Sequence, residues 1–226
     1  MYTTLNKIKK CRPCLGGWIK LLRHLGKTGP DDEPLSITTV LESNGLDDAL
    51  WALRVLKWRD REKQLFAVKC ARRVQHLVAD QRSLNALDTA EAYANGAASL
   101  EELTEARKEA WEASAATDLL LETLAEKGES IWKARAADSA ATAIWNAVSA
   151  ENMLWGEYED AGYCSSISAW EAASRAVMAA GEAAAMEAEV MDENRPVADA
   201  KDKASETERV FQAKLFAEIF SPERKD

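Results

Sequence analysis

Forty of the 41 alanines in this 226-residue chain lie at or beyond position 52. Such a stretch has one regular structure open to it, because alanine is the strongest helix former and gives a pleated sheet almost no side chain to pack. β-Branched residues are scarce there, and proline occurs only at 196 and 222. The composition excludes a β-sandwich, a barrel or a doubly wound sheet for most of the molecule. It predicts an all-α fold, an antiparallel helical bundle packed by alanine and tryptophan.

Residues 1–58 read differently. They hold five of the ten glycines, three of the five prolines and only two alanines, Ala49 and Ala52. This is the pattern of a small, loop-rich helical lobe, with the long-helix bundle occupying residues 59–226. Pro13 is suited to open a helix that Gly26 stops in the left-handed conformation. Ser36 caps a short helix ended by Asn44-Gly45, and Leu50, Trp51, Leu53 and Leu56 supply the lobe's core.

From Asp60 the helices lengthen, with expected spans 60–79, 83–95, 99–127, 129–155, 165–194 and 196–220. Ser99 and Glu102 form a capping box, and Gly96, Gly128 and Pro196 punctuate the remainder. Apolar spacing in threes and fours predicts two bundle seams. One comprises Leu103, Ala106, Ala110, Ala113, Leu120 and Leu124. The other comprises Trp170, Ala173, Val177, Ala180, Ala184, Ala188 and Met191. Alanines let helix axes approach closely, and the tryptophans are expected to fill the wider gaps between layers. Trp-x-Ala units begin at 111, 132, 145 and 170, at intervals of 21, 13 and 25 residues, too irregular for a solenoid of fixed period.

The net charge of −9 conceals an asymmetry. Residues 1–98 carry 16 Lys+Arg against 11 Asp+Glu, while residues 99–226 carry 13 against 27. The first 30 residues contain seven cations and no acid, so the two ends of the chain differ in potential. The basic start is followed by CRPCLGGWIKLLRHLG, where Lys20, Arg23 and the glycines interrupt any secretory apolar core. No stretch approaches the roughly 18 apolar residues of a transmembrane helix. Cys11, Cys14, Cys70 and Cys164 are accordingly expected as reduced thiols in a cytosol.

Several motifs suggest chemistry without completing it. Cys11-Arg-Pro-Cys14 has the spacing of a redox pair or half a zinc site, so Cys11 and Cys14 are the secondary metal candidates. No strand leads into the pair and no second paired motif accompanies it, so buried thiols at a helix start is the simpler reading. Gly26-Lys27-Thr28 resembles the end of a phosphate loop, but Leu21 stands where the pattern needs glycine. Eight basic residues fall between Arg54 and Arg73. On a helix, Lys69, Arg72, Arg73 and His76 share a face beside Phe66, Cys70, Val74 and Leu77, which makes those four the candidate partner-binding residues. The competing reading pairs them with acids of the same fold. Acidic surfaces at Glu101, Glu102, Glu105, Glu109 and Glu112, and at Glu182, Glu187, Glu189, Asp192 and Glu193, are either a solvated exterior or a mimic of a nucleic-acid backbone.

The run LFAVKCARRVQHLVADQRSLNALDTAEAYANGAASLEELTEARKEAWEASAA, followed by alanine-rich helices and ETERVFQAKLF, resembles an alanine-rich family of immunity proteins, the immunity-five-like group. The resemblance covers roughly residues 60–220. Its specific pieces are Asp80-Gln-Arg82, Ala90 to Gly96, Ala106-Arg107 before Ala110-Trp111, and Glu208 with Gln212. Ser83 stands where proline often follows in the family. The N-terminal segment, with its CxxC and GLDDALW, is similar to those of phage and prophage versions. The resemblance implies protective binding and brings no catalytic residues. The expectation is a non-enzymatic inhibitor, without cofactor, acting in a bacterial host cytosol on a toxin or a defence-complex subunit such as a CRISPR effector. Nucleic-acid binding or mimicry is the alternative, and a pI of about 5.0 disfavours direct binding.

Overall fold

The computed structural model describes residues 1–57, 59–127, 131–149, 161–191 and 197–221. The fold is all-α, with ten α-helices and one pair of two-residue strands among these residues. Tyr2–Thr3 (β1) pairs antiparallel with Leu35–Ser36 (β2). Thr4, extended, caps α1 (Leu5–Lys10) by accepting from the Lys7 amide. Helix α2 (Leu15–Leu25) starts two residues later than its proline suggests, because the Cys14 thiol takes the cap and accepts from Gly17 N; Gly26, at φ 65°, stops it. Ser36 caps α3 (Ile37–Asn44) as expected. Helix α4 (Leu46–Ala52) then runs into a 3-10 turn at Leu53–Val55.

The long helices are α5 (Asp60–Val74), α6 (Gln81–Ala94), α7 (Leu100–Glu126), α8 (Trp132–Val148), α9 (Ala161–Met191) and α10 (Val197–Phe220). The expected span 60–79 is cut short, since the chain tightens into a 3-10 turn at Gln75–Leu77 and leaves it extended at Val78. The expected ends at 155 and 194 lie outside the described residues. The capping box at Ser99 is present in both directions, with Ser99 N donating to Glu102 at 2.6 Å and Glu102 N to Ser99 Oγ at 3.2 Å.

Helix α9 is the central element, packed against α8, α10 and α5. Ala173, Val177 and Ala188 of the predicted seam are buried as expected, but the buried face also takes in Ala169, Ala172, Ala176, Ala179 and Ala185, which shifts the seam. Trp170 is 39% exposed, and Ala180 and Ala184 are only half-buried. On α7, Leu103, Ala106, Ala110 and Ala113 are buried as expected, but Leu120 is 53% exposed. Arg82, in the first turn of α6, lies opposite Glu112 at 3.7 Å. Beyond that point α7 no longer has α6 beside it.

The tryptophans depart from their expected role for a related reason. Alanine seams bring axes together and leave no gap for an indole, so Trp111 is 55% exposed and meets the Trp145 ring in a tilted contact at 5.1 Å. Trp132 lies beneath Arg135 and Lys201. Trp18 of the N-terminal segment is buried, and the large aromatics at the bundle's centre are Phe66, Phe216 and Phe220, with centroids 4.7 to 6.1 Å apart. A continuous apolar core joins Leu5, Leu50 and Leu53 of the N-terminal segment to these phenylalanines.

The first residue and α10 are tied together. The Met1 ammonium donates to Phe220 O at 2.8 Å, while Ile37 N donates to Met1 O at 3.0 Å. Arg209 of α10 reaches Asp47 of α4 at 3.2 Å. These contacts bring α1 alongside the 3-10 turn that precedes α5, which sets up the cleft described next.

Candidate anion-binding interface

The four residues predicted to form a partner face do not act as one. Helix α5 lies between α6 and α10, and consecutive arginines turn to different neighbours. Arg72 reaches α6, pairing with Asp88 and Glu91 at 2.7 Å each. Arg73 reaches α10, pairing with Glu208 at 3.3 Å and covering the Phe211 ring. Lys69 lies 3.7 Å from Glu218, and His76 is exposed in the 3-10 turn, where the helical register has ended. Burial alone would lower the pKa of Arg72, but its hydrogen bonds to Asp88 and Glu91 outweigh it and the net shift is upward.

Two further pieces of the family resemblance also hold the fold together. Glu208 is 3% exposed, and burial raises its pKa against the opposing pull of Arg73 and Gln212. Gln212 donates to Ala173 O at 2.9 Å and to Glu208 at 3.3 Å, tying α10 to α9. Asp80 caps α6 by accepting from Arg82 N at 2.9 Å, and its hydrogen bonds from Arg82 hold its pKa down. Glu182, expected on an acidic exterior, is buried and bonded to Arg135 and Ser139. Glu189, Asp192 and Glu193 have side chains outside the described set.

The cysteine pair is not buried as expected. Cys11 is half-buried and Cys14 exposed, and among the described residues no cluster of His, Cys, Asp and Glu could hold a metal ion. Cys70 is fully buried, and desolvation, reinforced by the Glu208 charge, pushes its thiol well above the ordinary value. Lys27 is held by Asp31 at 2.5 Å and Glu33 at 2.6 Å rather than standing alone.

The strongest charge feature lies beside the tie between Met1 and α10. Lys7, Lys10 and Arg12 from the first helix and its exit, and Arg54, Lys57 and Arg59 from the approach to α5, line one cleft of about 820 Å³. No carboxylate lines it among the described residues. Arg54 is positioned by a 2.8 Å hydrogen bond to Trp51 O and lies over the Trp51 ring. Arg59 pairs with Glu62 at 3.0 Å. Lys7, Lys10, Arg12 and Lys57 are exposed, with no ion-pair partner among the described residues. Arg12 has φ 55°, a left-handed conformation that costs a non-glycine residue on the order of 1 kcal/mol or more and tends to collect at functional sites.

Sequence reading saw both basic runs separately. It missed their convergence, because the strand pair and the Met1–Phe220 contact that cause it are non-local. No protein family, curated protein or solved structure matches this chain, so function has to be argued from the fold and its charge geometry.

Proposed function

We propose that this protein is a non-enzymatic binder that neutralises another protein by docking an acidic surface of that partner against the basic cleft. The observation that carries this reading is the convergence of six cationic side chains on one cleft, where among the described residues four have no ion-pair partner and no carboxylate is a lining residue. Arginine and lysine at such a site steer an acidic partner and fix its register. Two settings suit the role: an immunity protein occluding a toxin, and a phage-encoded inhibitor of a bacterial defence complex such as an anti-CRISPR, in either case in the host cytosol. The likeness of the motifs in residues 60–220 to immunity proteins is part of the same proposal. Among the described residues no helix is long and apolar enough to cross a membrane. A long nucleic acid is the weaker partner, because residues 99–226 contribute 27 acids against 13 bases and repel a polyanion that extends past the cleft.

Quantitative capture of the partner from the native host tests the reading. Combined reversal at Lys10→Glu, Arg12→Glu and Lys57→Glu is expected to weaken capture at least tenfold, and reversal at Glu105, Glu109 and Glu112 to change it little. The opposite ranking would indicate a basic target and overturn the proposal. Saturable, salt-dependent DNA binding by the wild type, lost in the triple variant, would replace a protein partner with nucleic acid.

A further inference from the structure

We infer that the basic cleft is a binding site for a compact ligand carrying two or more phosphoryl groups, which occupies it in competition with an acidic partner. The inference rests on the same cleft as the proposed function but concerns a different occupant. The cleft draws its walls from two basic stretches that the fold brings together, residues 1–12 and 54–59. This cleft has six cations and no carboxylate among its described lining residues. Lys7, Lys10, Arg12 and Lys57 have no ion-pair partner among the described residues, so an anion of high charge density gains by entering the cleft.

Three properties select clustered phosphoryl groups over carboxylates. First, each phosphoryl group brings up to about two negative charges and three acceptor oxygens, so two of them match the charge of Lys7, Lys10, Arg12 and Lys57 within a confined space. A peptide would need about as many carboxylates as there are cations. Second, the cation set mixes both types the chemistry uses. The guanidinium groups of Arg12, Arg54 and Arg59 offer planar forks for paired oxygens, while Lys7, Lys10 and Lys57 act as point charges. Third, the volume of about 820 Å³ falls within the roughly 300–1,000 Å³ of small-ligand sites. Tyr2, Val55 and Leu56 add an apolar edge beside the cations, giving a non-phosphate portion of the ligand a surface to rest on.

The geometry is prepared before any ligand arrives. Arg54 is held by Trp51, and the Arg12 backbone is set in a left-handed conformation, where its amide donates to Lys9 O at 3.1 Å. Ordering these groups in advance lowers the entropic cost of binding.

The test is calorimetric titration of the full chain at low salt with inorganic tripolyphosphate, orthophosphate and a hexaglutamate peptide. Tripolyphosphate is expected to bind one per chain and at least tenfold more tightly than either of the others. Lys10→Glu combined with Arg12→Glu is expected to weaken it at least tenfold, and Lys108→Glu, far along α7, to leave it unchanged. Both cleft side chains are exposed, so the variant should keep its helical circular dichroism, and Lys57→Glu supplies an independent second lesion. Absence of saturable tripolyphosphate binding overturns the inference, as does equal weakening by Lys108→Glu. Hexaglutamate binding as tightly as tripolyphosphate also overturns it while leaving an acidic protein partner in place; failure of every anion to bind would count against the proposed function too.

Discussion

Arg72 and Arg73 are neighbours in sequence and serve different helices, which is why a helical-wheel reading grouped them and the fold separates them. Arg73 compensates Glu208, a carboxylate nearly removed from water, and the compensation is incomplete, since burial still leaves its pKa raised. The sign of the resulting pH dependence follows from proton linkage. Between the ordinary glutamate value of 4.5 and the raised folded value, the folded state holds this proton more firmly than the unfolded state does. Stability contributed by Glu208 is therefore present at low pH and lost as pH rises through that window. Glu208→Gln keeps an acceptor for Arg73 and for the Gln212 amide but removes the titration. Urea melts from about pH 4 to 8 are expected to show a flatter stability profile for the variant, and a slope identical to wild type across the window would refute this account. The sequence singles out Glu208 with Gln212 as a motif, but the burial and the pairing with Arg73 are not legible there, because α5 and α9 meet this face only in the fold.

At the scale of elements, helix starts and stops were readable because caps and breakers act locally. Ser36, Ser99 and Gly26 sit where their chemistry requires. The face each helix buries was not readable with the same ease, because alanine is nearly as tolerable in water as in a seam. With alanine on several faces of α9, hydrophobic periodicity no longer picks one, and contacts from α5, α8 and α10 decide. Gly181 marks how close the last of these comes: a Cβ added there would lie 3.3 Å from the backbone oxygen of Lys201. The corrected phase yields a paired test. Ala176 is fully buried, so Ala176→Leu should overpack the seam and cost about 1 to 3 kcal/mol. Ala180 borders an open cleft between α9 and α10, so Ala180→Leu should cost less than about 0.5 kcal/mol, the range of ordinary surface changes. Equal losses in denaturant midpoint would show that the buried face is misassigned.

Over the whole molecule, the change in composition near residue 58 suggests two units, yet the contacts run across it. The 3-10 turn at Leu53–Val55 and helix α4 pack on α9, α3 packs on α10, and the first residue is bonded to Phe220. Leu53 and Phe216 are both fully buried and belong to one apolar cluster. If that shared core couples the two parts, neither unfolds without exposing the other's apolar surface, and heat should produce one transition with equal calorimetric and van't Hoff enthalpies. Leu53→Ala, from the N-terminal segment, and Phe216→Ala, from the last helix, remove large side chains at sites of this kind, at an expected cost of about 2 to 5 and 3 to 5 kcal/mol respectively. Each is expected to move the whole transition to lower temperature. An early, separate peak in Leu53→Ala with the main peak unmoved would mean that residues 1–58 melt as an independent lobe. The basic cleft, which needs α1 and the approach to α5 held side by side, would then be lost in that first step.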